Sequence, residues 1–326
     1  MKALRIGLVG ASTVATYAVI DPARETPGVE VAAVAARAPE KARAYAARHG
    51  IARALPSYEA LFADPDIDLI YIGTPPAYHA EQAIASIEAG KAVLVEKPFA
   101  LSSSEAARVD TAARRARVPL FEAMHSPHHR LFARILEIVR SGVLGRLARI
   151  EANFEAPIKP EDPIRWTAEL GGGALMDLGV YPLAWVRRIA GEQFEISGAT
   201  AQMRGGVDAA FEARLDFGSG LEAHVAASMI ADAVSNHLRL EGTGGTLTAI
   251  NPLGPQRGHR LTLETRDGQS VSETVEGPST YSAQLAAVRA AVLGEAPFPF
   301  PEADFVRSME AIERIRGAMR TSARSG

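Results

Sequence analysis

The sequence predicts an α/β protein of two domains: a parallel sheet wrapped by helices, then an α+β domain with a large, mainly antiparallel open sheet. In the first part, short β-branched runs alternate with helical patterns, as is typical of parallel sheets. After about residue 122, hairpin-like runs separated by glycine turns replace this alternation. The 326 residues also exceed what one hydrophobic core usually organises. We therefore expect domains at 1–122 and 123–326, with the C-terminal helix as the element that would pack back on the first domain.

The elements of the first domain follow from apolar runs and helix-boundary signals. Strands are predicted at 3–9, 29–36, 68–72, 91–95 and 118–121, and helices at 39–48, 57–63, 77–89 and 102–116. Pro39 suits the first turn of a helix and Gly50 suits a helix end. Ser102 and Glu105 have the spacing of a capping box, in which each side chain satisfies a free backbone N–H.

The second domain shows a different pattern. Helices are predicted near 130–141, 172–190, 279–293 and 303–322, and strands near 146–155, 208–217, 220–230, 234–241, 245–250, 259–265 and 270–275. Turns such as Gly218-Ser219-Gly220 and Asp267-Gly268 separate neighbouring runs. Short turns of this kind join antiparallel strands, so the pattern indicates a mainly antiparallel sheet.

The composition excludes several classes of function. A formal net charge of −3 gives no general attraction to nucleic acid or to an anionic membrane. The absence of cysteine excludes disulfides, thiolate zinc sites and a thiol nucleophile, and it fits a reducing compartment. Lys2 and Arg5 ahead of an apolar stretch imitate a signal peptide, but cleavage there would delete the turn described next. We expect a cytoplasmic protein that acts on a small molecule.

The first predicted strand runs into Gly10-Ala11-Ser12-Thr13-Val14-Ala15, a variant of the Gly-x-Gly-x-x-Gly/Ala turn with Ser12 in place of the middle glycine. Such glycines let the backbone approach a pyrophosphate at a helix N-terminus, whose free N–H groups favour an anion. Because the turn opens a βαβ series, it predicts a dinucleotide site at Gly10, Ser12, Thr13 and Val14. The alternative is a tight turn without a ligand.

The end of the second predicted strand, Ala35-Ala36-Arg37-Ala38, bears on the choice of dinucleotide. An acidic residue at this point binds the ribose 2′-OH, whereas an arginine accommodates a 2′-phosphate. No carboxylate occurs before Glu40, so the sequence favours NADP(H) over NAD(H). The alternative is that Arg37 only points into solvent.

Two further motifs supply groups that hold or move a proton. Glu96-Lys97-Pro98 places a lysine at the carboxyl end of a central strand, where open parallel sheets bind ligands. Gly171-Gly172-Gly173 opens a predicted helix in which Asp177 and Tyr181 lie four residues apart on one face. A carboxylate and a phenol on one face can hold and polarise a hydroxyl or carbonyl group. Each motif alone also fits an ordinary packed structure.

Together these motifs resemble those of the Gfo/Idh/MocA oxidoreductases, the glucose-fructose oxidoreductase and inositol dehydrogenase family. The resemblance covers essentially the whole chain, and it rests on the Gly10 turn, Gly73-Thr74-Pro75 followed by His79, Glu96-Lys97-Pro98, and Gly171 to Tyr181. The branch with dimeric dihydrodiol dehydrogenase and NADP-linked D-xylose dehydrogenase is similar at three further segments. These are Val34-Ala35-Ala36-Arg37, Phe121-Glu122-Ala123-Met124-His125 and Ile164-Arg165-Trp166.

The resemblance implies an NADP-binding Rossmann domain followed by a domain whose open sheet often makes a dimer interface. It implies that Lys97 is the catalytic lysine, Asp177 a substrate-polarising carboxylate, and Tyr181 the proton donor or acceptor, where many relatives carry histidine. The expected cofactor-binding residues are Gly10, Ser12, Thr13, Val14, Arg37, Thr74, Pro75, His79, Glu96 and Lys97, and those expected at the substrate are His125, Arg165 and Trp166. The chain departs from the family at Pro76, where asparagine is usual, and at Ser126-Pro127-His128.

The expected reaction is reversible hydride transfer between NADP(H) and a hydroxyl or carbonyl carbon of a sugar, polyol or diol, catalysed by a homodimer or higher homo-oligomer. Two alternatives stay open at this point. One is a glycosidase that keeps its nicotinamide bound and works by transient oxidation and elimination, and the other is a non-catalytic NADP(H) sensor. His125, His128 and His129 invite a metal interpretation, but no carboxylate pattern completes a site, so no metal is expected. Trp166 fits either a pocket wall or a core position.

Overall fold

The computed structural model describes residues 3–321 and contains two compact units. One unit extends to His125 and also includes Tyr281–Val306; the other comprises Ser126–Thr280 and the chain from Arg307 onwards. Between residues 3 and 321, no helix has both the length and the apolar character needed to cross a membrane.

The first unit is built on a parallel six-stranded sheet. Its strands are β1 (Leu4–Val9), β2 (Val29–Ala35), β3 (Arg53–Leu55), β4 (Leu69–Ile72), β5 (Ala92–Glu96) and β6 (Leu120–Ala123). They lie in the order β3-β2-β1-β4-β5-β6, and every neighbouring pair is parallel. The order reverses between β1 and β4, which is the switch point at which such sheets bind ligands beyond the carboxyl ends of their strands. The predicted Rossmann sheet is confirmed.

The helices of this sheet are α1 (Thr13–Ala15), α2 (Asp21–Glu25), α3 (Pro39–His49), α4 (Tyr58–Phe62), α5 (His79–Glu88) and α6 (Ser103–Ala116), with a π turn at Thr16–Ile20 and a 3₁₀ turn at Pro76–Tyr78. Four of them, α3 to α6, lie within two residues of their predicted bounds, whereas the helical stretch between β1 and β2 was not among the predicted helices. Gly50 ends α3 with a left-handed φ of 72°. Ser102 accepts the Glu105 N–H at 3.2 Å, and the Glu105 carboxylate accepts the Leu101 N–H at 2.9 Å.

The segment 281–306 differs from the domain prediction, which placed it within 123–326. It contains most of α9 (Thr280–Val292), whose Leu285 and Val288 are at most 1% exposed and belong to the apolar core around β1 and β4. Phe298 packs on Phe121 with ring centroids 4.6 Å apart. These apolar contacts assign the segment to the first unit, and α9 is the helix that enters its core. The start of the last helix also belongs to this unit, since Phe305 stacks on Phe99 with ring centroids 4.0 Å apart.

The second unit contains a nine-stranded sheet within the described part of the chain. Its strands are β7 (Leu147–Pro157), β8 (Glu195–Arg204), β9 (Val207–Asp216), β10 (Glu222–Ser228), β11 (Ile230–Gly242), β12 (Gly245–Ile250), β13 (Arg260–Thr265), β14 (Ser270–Glu273) and β15 (Met319–Thr321). They lie in the order β14-β13-β12-β11-β7-β10-β9-β8-β15. Only the pairs β7–β10 and β8–β15 are parallel, which confirms the mainly antiparallel sheet.

The remaining helices are α7 (Arg130–Arg140), α8 (Val180–Ala190) and α10 (Asp304–Ala318), with a π turn at Leu175–Gly179 and 3₁₀ turns at Ser126–His128, Ala168–Leu170 and Pro255–Arg257. Along β9 the side chains alternate between buried and more exposed positions, as expected for a strand with one face on the core. The helical segment predicted near 172–190 thus begins as a π turn that carries Asp177, and α8 follows it.

Candidate functional site

The turn after β1, here called the glycine turn (residues 10–15), has the geometry of an anion-binding site. Gly10 has a φ of 93°, a conformation that favours glycine, and a Cβ there would lie 3.1 Å from Thr74 Cγ2. A Cβ at Gly73 would lie 2.9 Å from Ser12 Oγ. Ser12 is the N-cap of α1, and its Oγ accepts the Ala15 N–H at 3.3 Å. Glycines at 10 and 73 therefore keep the turn clear, which fits a dinucleotide pyrophosphate.

Arg37 follows the carboxyl end of β2, where the sequence predicts a site for a 2′-phosphate. Arg37 follows the buried Ala36 and is itself exposed, and no carboxylate in residues 3–321 pairs with its guanidinium. Tyr58 lies beside it: burial raises the pKa of the Tyr58 phenol, and a hydrogen bond with the Arg37 backbone opposes that rise. The side chain of Arg37 is thus available to an anionic ligand while its backbone is held.

His79 joins the loops that follow β4 and β5. Its Nε2 lies 2.8 Å from the Thr74 carbonyl oxygen, and its Nδ1 lies 3.0 Å from the Pro98 carbonyl oxygen. Burial lowers the pKa of His79 to about 4, although both carbonyls favour the protonated ring, and the Lys97 charge lowers it further. The neutral imidazole has a single N–H, so His79 donates to one of the two carbonyls and packs against the other, between two loops that carry predicted cofactor residues. The neighbouring Pro75 is half-buried.

Lys97 lies at the carboxyl end of β5, next to the buried Glu96, which is hydrogen-bonded to Tyr71. The Tyr71 hydroxyl donates to Glu96 Oε1 at 2.8 Å, and the Lys97 backbone N–H donates to Glu96 Oε2 at 3.2 Å. Burial and the Glu96 carboxylate raise the pKa of Tyr71 well above its ordinary value, so Tyr71 remains a donor. Sequence reasoning missed Tyr71; its signal was a phenol in the apolar run Leu69–Ile72, because a buried hydroxyl needs a partner.

His125 is the last residue of the first of the two chain segments that form the first unit, and it is 4% exposed. Its ring stacks on Tyr281 with centroids 4.0 Å apart and an interplanar angle of 27°. Tyr281 also packs edge-on against Tyr17 at 5.6 Å. The predicted substrate residue His125 is therefore part of an aromatic group of the first unit.

In the second unit, Asp177 pairs with Arg165. Arg165 Nε donates to Asp177 Oδ2 at 2.6 Å, and its NH1 donates to Asp162 Oδ2 at 2.5 Å. Asp177 is 9% exposed. Although burial lowers the pKa of Arg165, the two carboxylates raise it above its ordinary value. One guanidinium thus holds two carboxylates, and it fixes the orientation of the predicted polarising group.

The three glycines before Asp177 allow close approach of backbone and side chains. The Gly173 N–H donates to the Arg165 carbonyl oxygen at 3.0 Å, and a Cβ on Gly172 would lie 2.6 Å from the same oxygen. Asp208 accepts the Leu175 N–H at 2.7 Å, and burial raises the pKa of Asp208. These contacts join the Arg165 segment to the π turn that carries Asp177.

Tyr181 and Trp166 also belong to the second unit. Tyr181 is 6% exposed, and its ring lies edge-on to Phe154 at 5.9 Å. Trp166 is half-buried, donates from Nε1 to the Lys159 carbonyl oxygen at 2.8 Å, and has the Arg204 guanidinium 5.1 Å from its ring. Trp166 is therefore not a core tryptophan, unlike Trp185, which is fully buried.

The histidines at 128 and 129 lie in the second unit, in different surroundings. Burial and the Arg188 charge lower the pKa of His128 to about 3. His129 Nδ1 accepts the Leu131 N–H at 3.0 Å and so caps α7. Among residues 3–321, no three His, Cys, Asp or Glu side chains are arranged to hold a metal ion.

The predicted site residues divide between the two units. The first unit holds the glycine turn, Arg37, the loop after β4 (residues 73–75, here called the Thr74 loop) with His79, and Glu96, Lys97 and His125. The second unit holds Asp177, Tyr181, Arg165 and Trp166. In the first unit the glycine turn contacts the Thr74 loop, and His79 connects that loop to the residues after Lys97. In the second unit the structure brings Arg165 and Asp177 into direct contact.

Comparisons with known proteins match both units. Residues 4–124 match a family model described as an oxidoreductase family with an NAD-binding Rossmann fold, and residues 132–248 match the GFO/IDH/MocA C-terminal domain. The chain is 33% identical over 326 residues to D-xylose 1-dehydrogenase (NADP(+)) 2 of Haloferax volcanii, with 98% of each chain covered.

Two further relatives act on, or bind, nucleotide-linked compounds according to their names. The chain is 36% identical over 274 residues to dTDP-3,4-didehydro-2,6-dideoxy-alpha-D-glucose 3-reductase of Streptomyces violaceoruber, with 82% of this chain and 79% of the relative covered. A solved 3-ketoreductase of Actinomadura kijaniata, in complex with NADP and TDP-benzene, has a TM-score of 0.89 and 26% identity, with 98% of this chain and 99% of that one covered.

Proposed function

The chain belongs to the GFO/IDH/MocA oxidoreductase family, and from that premise we propose that it transfers a hydride between NADP(H) and a hydroxyl or carbonyl carbon of a sugar, polyol or diol. The observation that carries the proposal is the set of groups at one edge of the Rossmann sheet. Gly10, Arg37, Thr74 and Lys97 follow the carboxyl ends of β1, β2, β4 and β5 respectively. Ligands of such sheets bind at that edge.

The preference for NADP(H) is supported by Arg37. It is exposed, no carboxylate in the described residues pairs with it, and it follows β2 at the point where NAD-dependent enzymes carry an acidic residue. The relative from Haloferax volcanii is named for NADP(+), and the 3-ketoreductase structure contains NADP. The sugar-like substrate class is supported by the same names, since one relative is a xylose dehydrogenase and another reduces a keto-sugar nucleotide.

In this proposal the cofactor is held by the glycine turn, Arg37 and the Thr74 loop, and the bound nicotinamide supplies the hydride acceptor or donor. Lys97 and Tyr181 hold and move the proton of the substrate hydroxyl. Asp177 orients that hydroxyl as a hydrogen-bond acceptor, and Arg165 keeps the carboxylate in place. General acid–base groups typically contribute about 10²–10⁴-fold, and the remainder comes from holding the reacting carbons together.

The first experiment is calorimetric titration of the wild-type protein and Arg37→Ala with NADPH and with NADH. We expect the wild type to prefer NADPH. Loss of a hydrogen bond between charged groups costs about 1.5–3 kcal/mol, so Arg37→Ala should bind NADPH roughly 10- to 100-fold more weakly while its NADH affinity stays the same. An equal loss for both cofactors, or a wild type that prefers NADH, would contradict the Arg37 assignment.

The second experiment tests the reaction itself. Wild-type protein is assayed with NADP⁺ and a panel of aldoses, polyols and vicinal diols, and formation of NADPH is followed. Oxidation of a member of the panel is the expected result. Turnover of a glycoside without net reduction of added NADP⁺ would instead support the glycosidase alternative, and tight NADPH binding without any turnover would support a sensor.

A further inference from the structure

Tyr45 connects α3 to the glycine turn. Its hydroxyl donates to the Ser12 carbonyl oxygen at 2.8 Å, and it lies 3.2 Å from the Thr16 hydroxyl. Because Tyr45 gives its own proton to Ser12, the Thr16 hydroxyl is the donor in the second bond. The three residues form a directional chain of hydrogen bonds that runs from the start of the π turn, through α3, to the glycine turn.

The Ser12 carbonyl is a sensitive point because it shares a peptide bond with the Thr13 N–H. A trans peptide is planar, so its C=O and N–H point in opposite directions. Thr13 is the first residue of α1, and N–H groups of the first helical turn have no intrahelical partner. A hydrogen bond that fixes the Ser12 carbonyl therefore also fixes the direction of a free N–H on the opposite side.

Ser12 is also the position at which the turn departs from the glycine motif. Its Oγ accepts the Ala15 N–H within the turn, whereas its carbonyl oxygen accepts a hydrogen bond from outside the turn. Tyr45 supplies such a contact from a different helix. Burial raises the pKa of Tyr45 above 10.0, so its hydroxyl stays protonated and remains a donor at neutral pH.

We infer that Tyr45 is a positioning residue for the cofactor pyrophosphate: its hydroxyl holds the Ser12 carbonyl and thereby aims the Thr13 N–H at the anion. The inference rests on the nicotinamide-cofactor binding of the proposed function. It concerns the part of the cofactor that NADPH and NADH share, whereas Arg37 concerns the 2′-phosphate that only NADPH carries. Substitution of Tyr45 should therefore weaken the binding of both cofactors, whereas substitution of Arg37 should weaken the binding of NADPH alone.

Tyr45→Phe removes only the hydroxyl and is the direct test. Calorimetric titration should give dissociation constants for NADPH and NADH that both rise about three- to tenfold, which corresponds to one lost hydrogen bond. The ratio of the two constants should stay at its wild-type value. Tyr58→Phe is the matched control, since its hydroxyl is bonded to the Arg37 backbone and not to the glycine turn; we expect its NADH affinity to equal that of the wild type.

Thr16→Val is a second variant in case Tyr45→Phe does not fold. It keeps Tyr45 but removes the hydroxyl that donates to it, so both constants should again rise in parallel, by about twofold. Wild-type affinity of a folded Tyr45→Phe for both cofactors would overturn the inference, and so would a loss confined to NADPH. A purely structural role would lower the unfolding temperature of the free protein and leave both constants unchanged, which also overturns it.

The outcomes separate this inference from the proposed function. If the wild type binds nicotinamide cofactors but oxidises no sugar or diol, the reaction assignment fails while the Tyr45 result still stands. If the wild type prefers NADH, the Arg37 assignment fails, and a parallel loss in Tyr45→Phe still supports the inference. A wild type that binds neither NADPH nor NADH would overturn both.

Discussion

Two lysines lie at opposite ends of the same strand, and their surroundings assign them different roles. Lys91 precedes β5, and its ammonium donates to the carbonyl oxygens of Asp64 and Ile67 at 2.5 and 2.8 Å. Lys97 follows β5 at the carboxyl end of the sheet, where ligands bind. The first lysine closes a loop, and the second is the one to which the proposed function gives a catalytic role.

Substitution of each lysine by alanine should separate these roles. Lys97→Ala should lower kcat by about 10²–10⁴-fold on the sugar or diol that the wild type oxidises fastest, because a proton-transfer group is lost, and it should leave NADPH affinity nearly unchanged. Lys91→Ala should keep the wild-type kcat but lower the free energy of unfolding by about 2 kcal/mol, since two charge-assisted hydrogen bonds are lost. Steady-state kinetics and urea unfolding measure both effects; wild-type turnover in Lys97→Ala would contradict its role.

The location of a single residue could be predicted from the sequence only where the residue closely follows a predicted strand. Lys97 and Arg37 follow buried strands, so their location at the carboxyl edge could be inferred from strand patterns. Tyr45 could not be identified in this way. It lies among alanines on α3, and its importance depends on how that helix packs against residues 12 and 16.

At the scale of elements, glycines determine how the segment that carries Asp177 is built. Gly173 has a φ of 112°, and a Cβ there would overlap the Asp208 carboxylate, which accepts the Leu175 N–H. Gly142, after α7, also has a positive φ, of 79°, but no atom lies within 4 Å of its Cβ position. A substitution at Gly142 therefore measures the cost of backbone strain alone, whereas one at Gly173 adds the cost of crowding.

Gly173→Ala should lower the free energy of unfolding by about 3 kcal/mol or more, because strain from a positive φ adds to the displacement of Asp208. Gly142→Ala in the same unit should lower it by about 1 kcal/mol, from backbone strain alone. Urea unfolding monitored by the fluorescence of Trp166 and Trp185 reports on this unit, since both tryptophans belong to it. Equal losses in the two variants would show that Asp208 adapts without cost.

The elements that the sequence predicted share a strong periodic pattern, and those it missed lack one. Most strands of both sheets and the capped helices α3 and α6 were predicted, but the ten-residue β8 was not. β3 has three residues of intermediate burial, and half of β8 is exposed, with only Ala199 and Ala201 buried, so neither has an apolar pattern to detect. The π turn before α8 was also missed, because it differs from an α-helix in hydrogen bonding rather than in composition.

At the scale of the whole molecule, the chain passes between the two units at 125–126, 280–281 and 306–307. A change in sequence pattern located the first of these points to within three residues, since the prediction was 122–123. The other two have no such signal, because the sequence pattern does not change at either of them. The contacts of Leu285, Val288 and Phe298 decide the assignment, and such contacts exist only in the folded protein.

The pH dependence of stability is a further property of the folded first unit. His79 has an ordinary pKa of 6.5 in the unfolded chain and a pKa of about 4 in the folded protein, because burial disfavours its charged form. The stabilisation by the neutral imidazole is thus complete above pH 6.5 and is lost as the pH falls toward 4, where the unfolded chain takes up a proton that the native state does not. Between pH 7.5 and 5 the loss should be about 2 kcal/mol.

His79→Asn removes this titration and serves as the comparison. Its free energy of unfolding should be lower than that of the wild type at pH 7.5, because contacts with Thr74 and Pro98 are lost, but it should fall by about 2 kcal/mol less on going to pH 5. His128, whose pKa is about 3, contributes equally to both proteins and cancels in the difference. Urea unfolding followed by far-ultraviolet circular dichroism at the two pH values measures it, and the same pH dependence in both proteins would mean that His79 is not held neutral by burial.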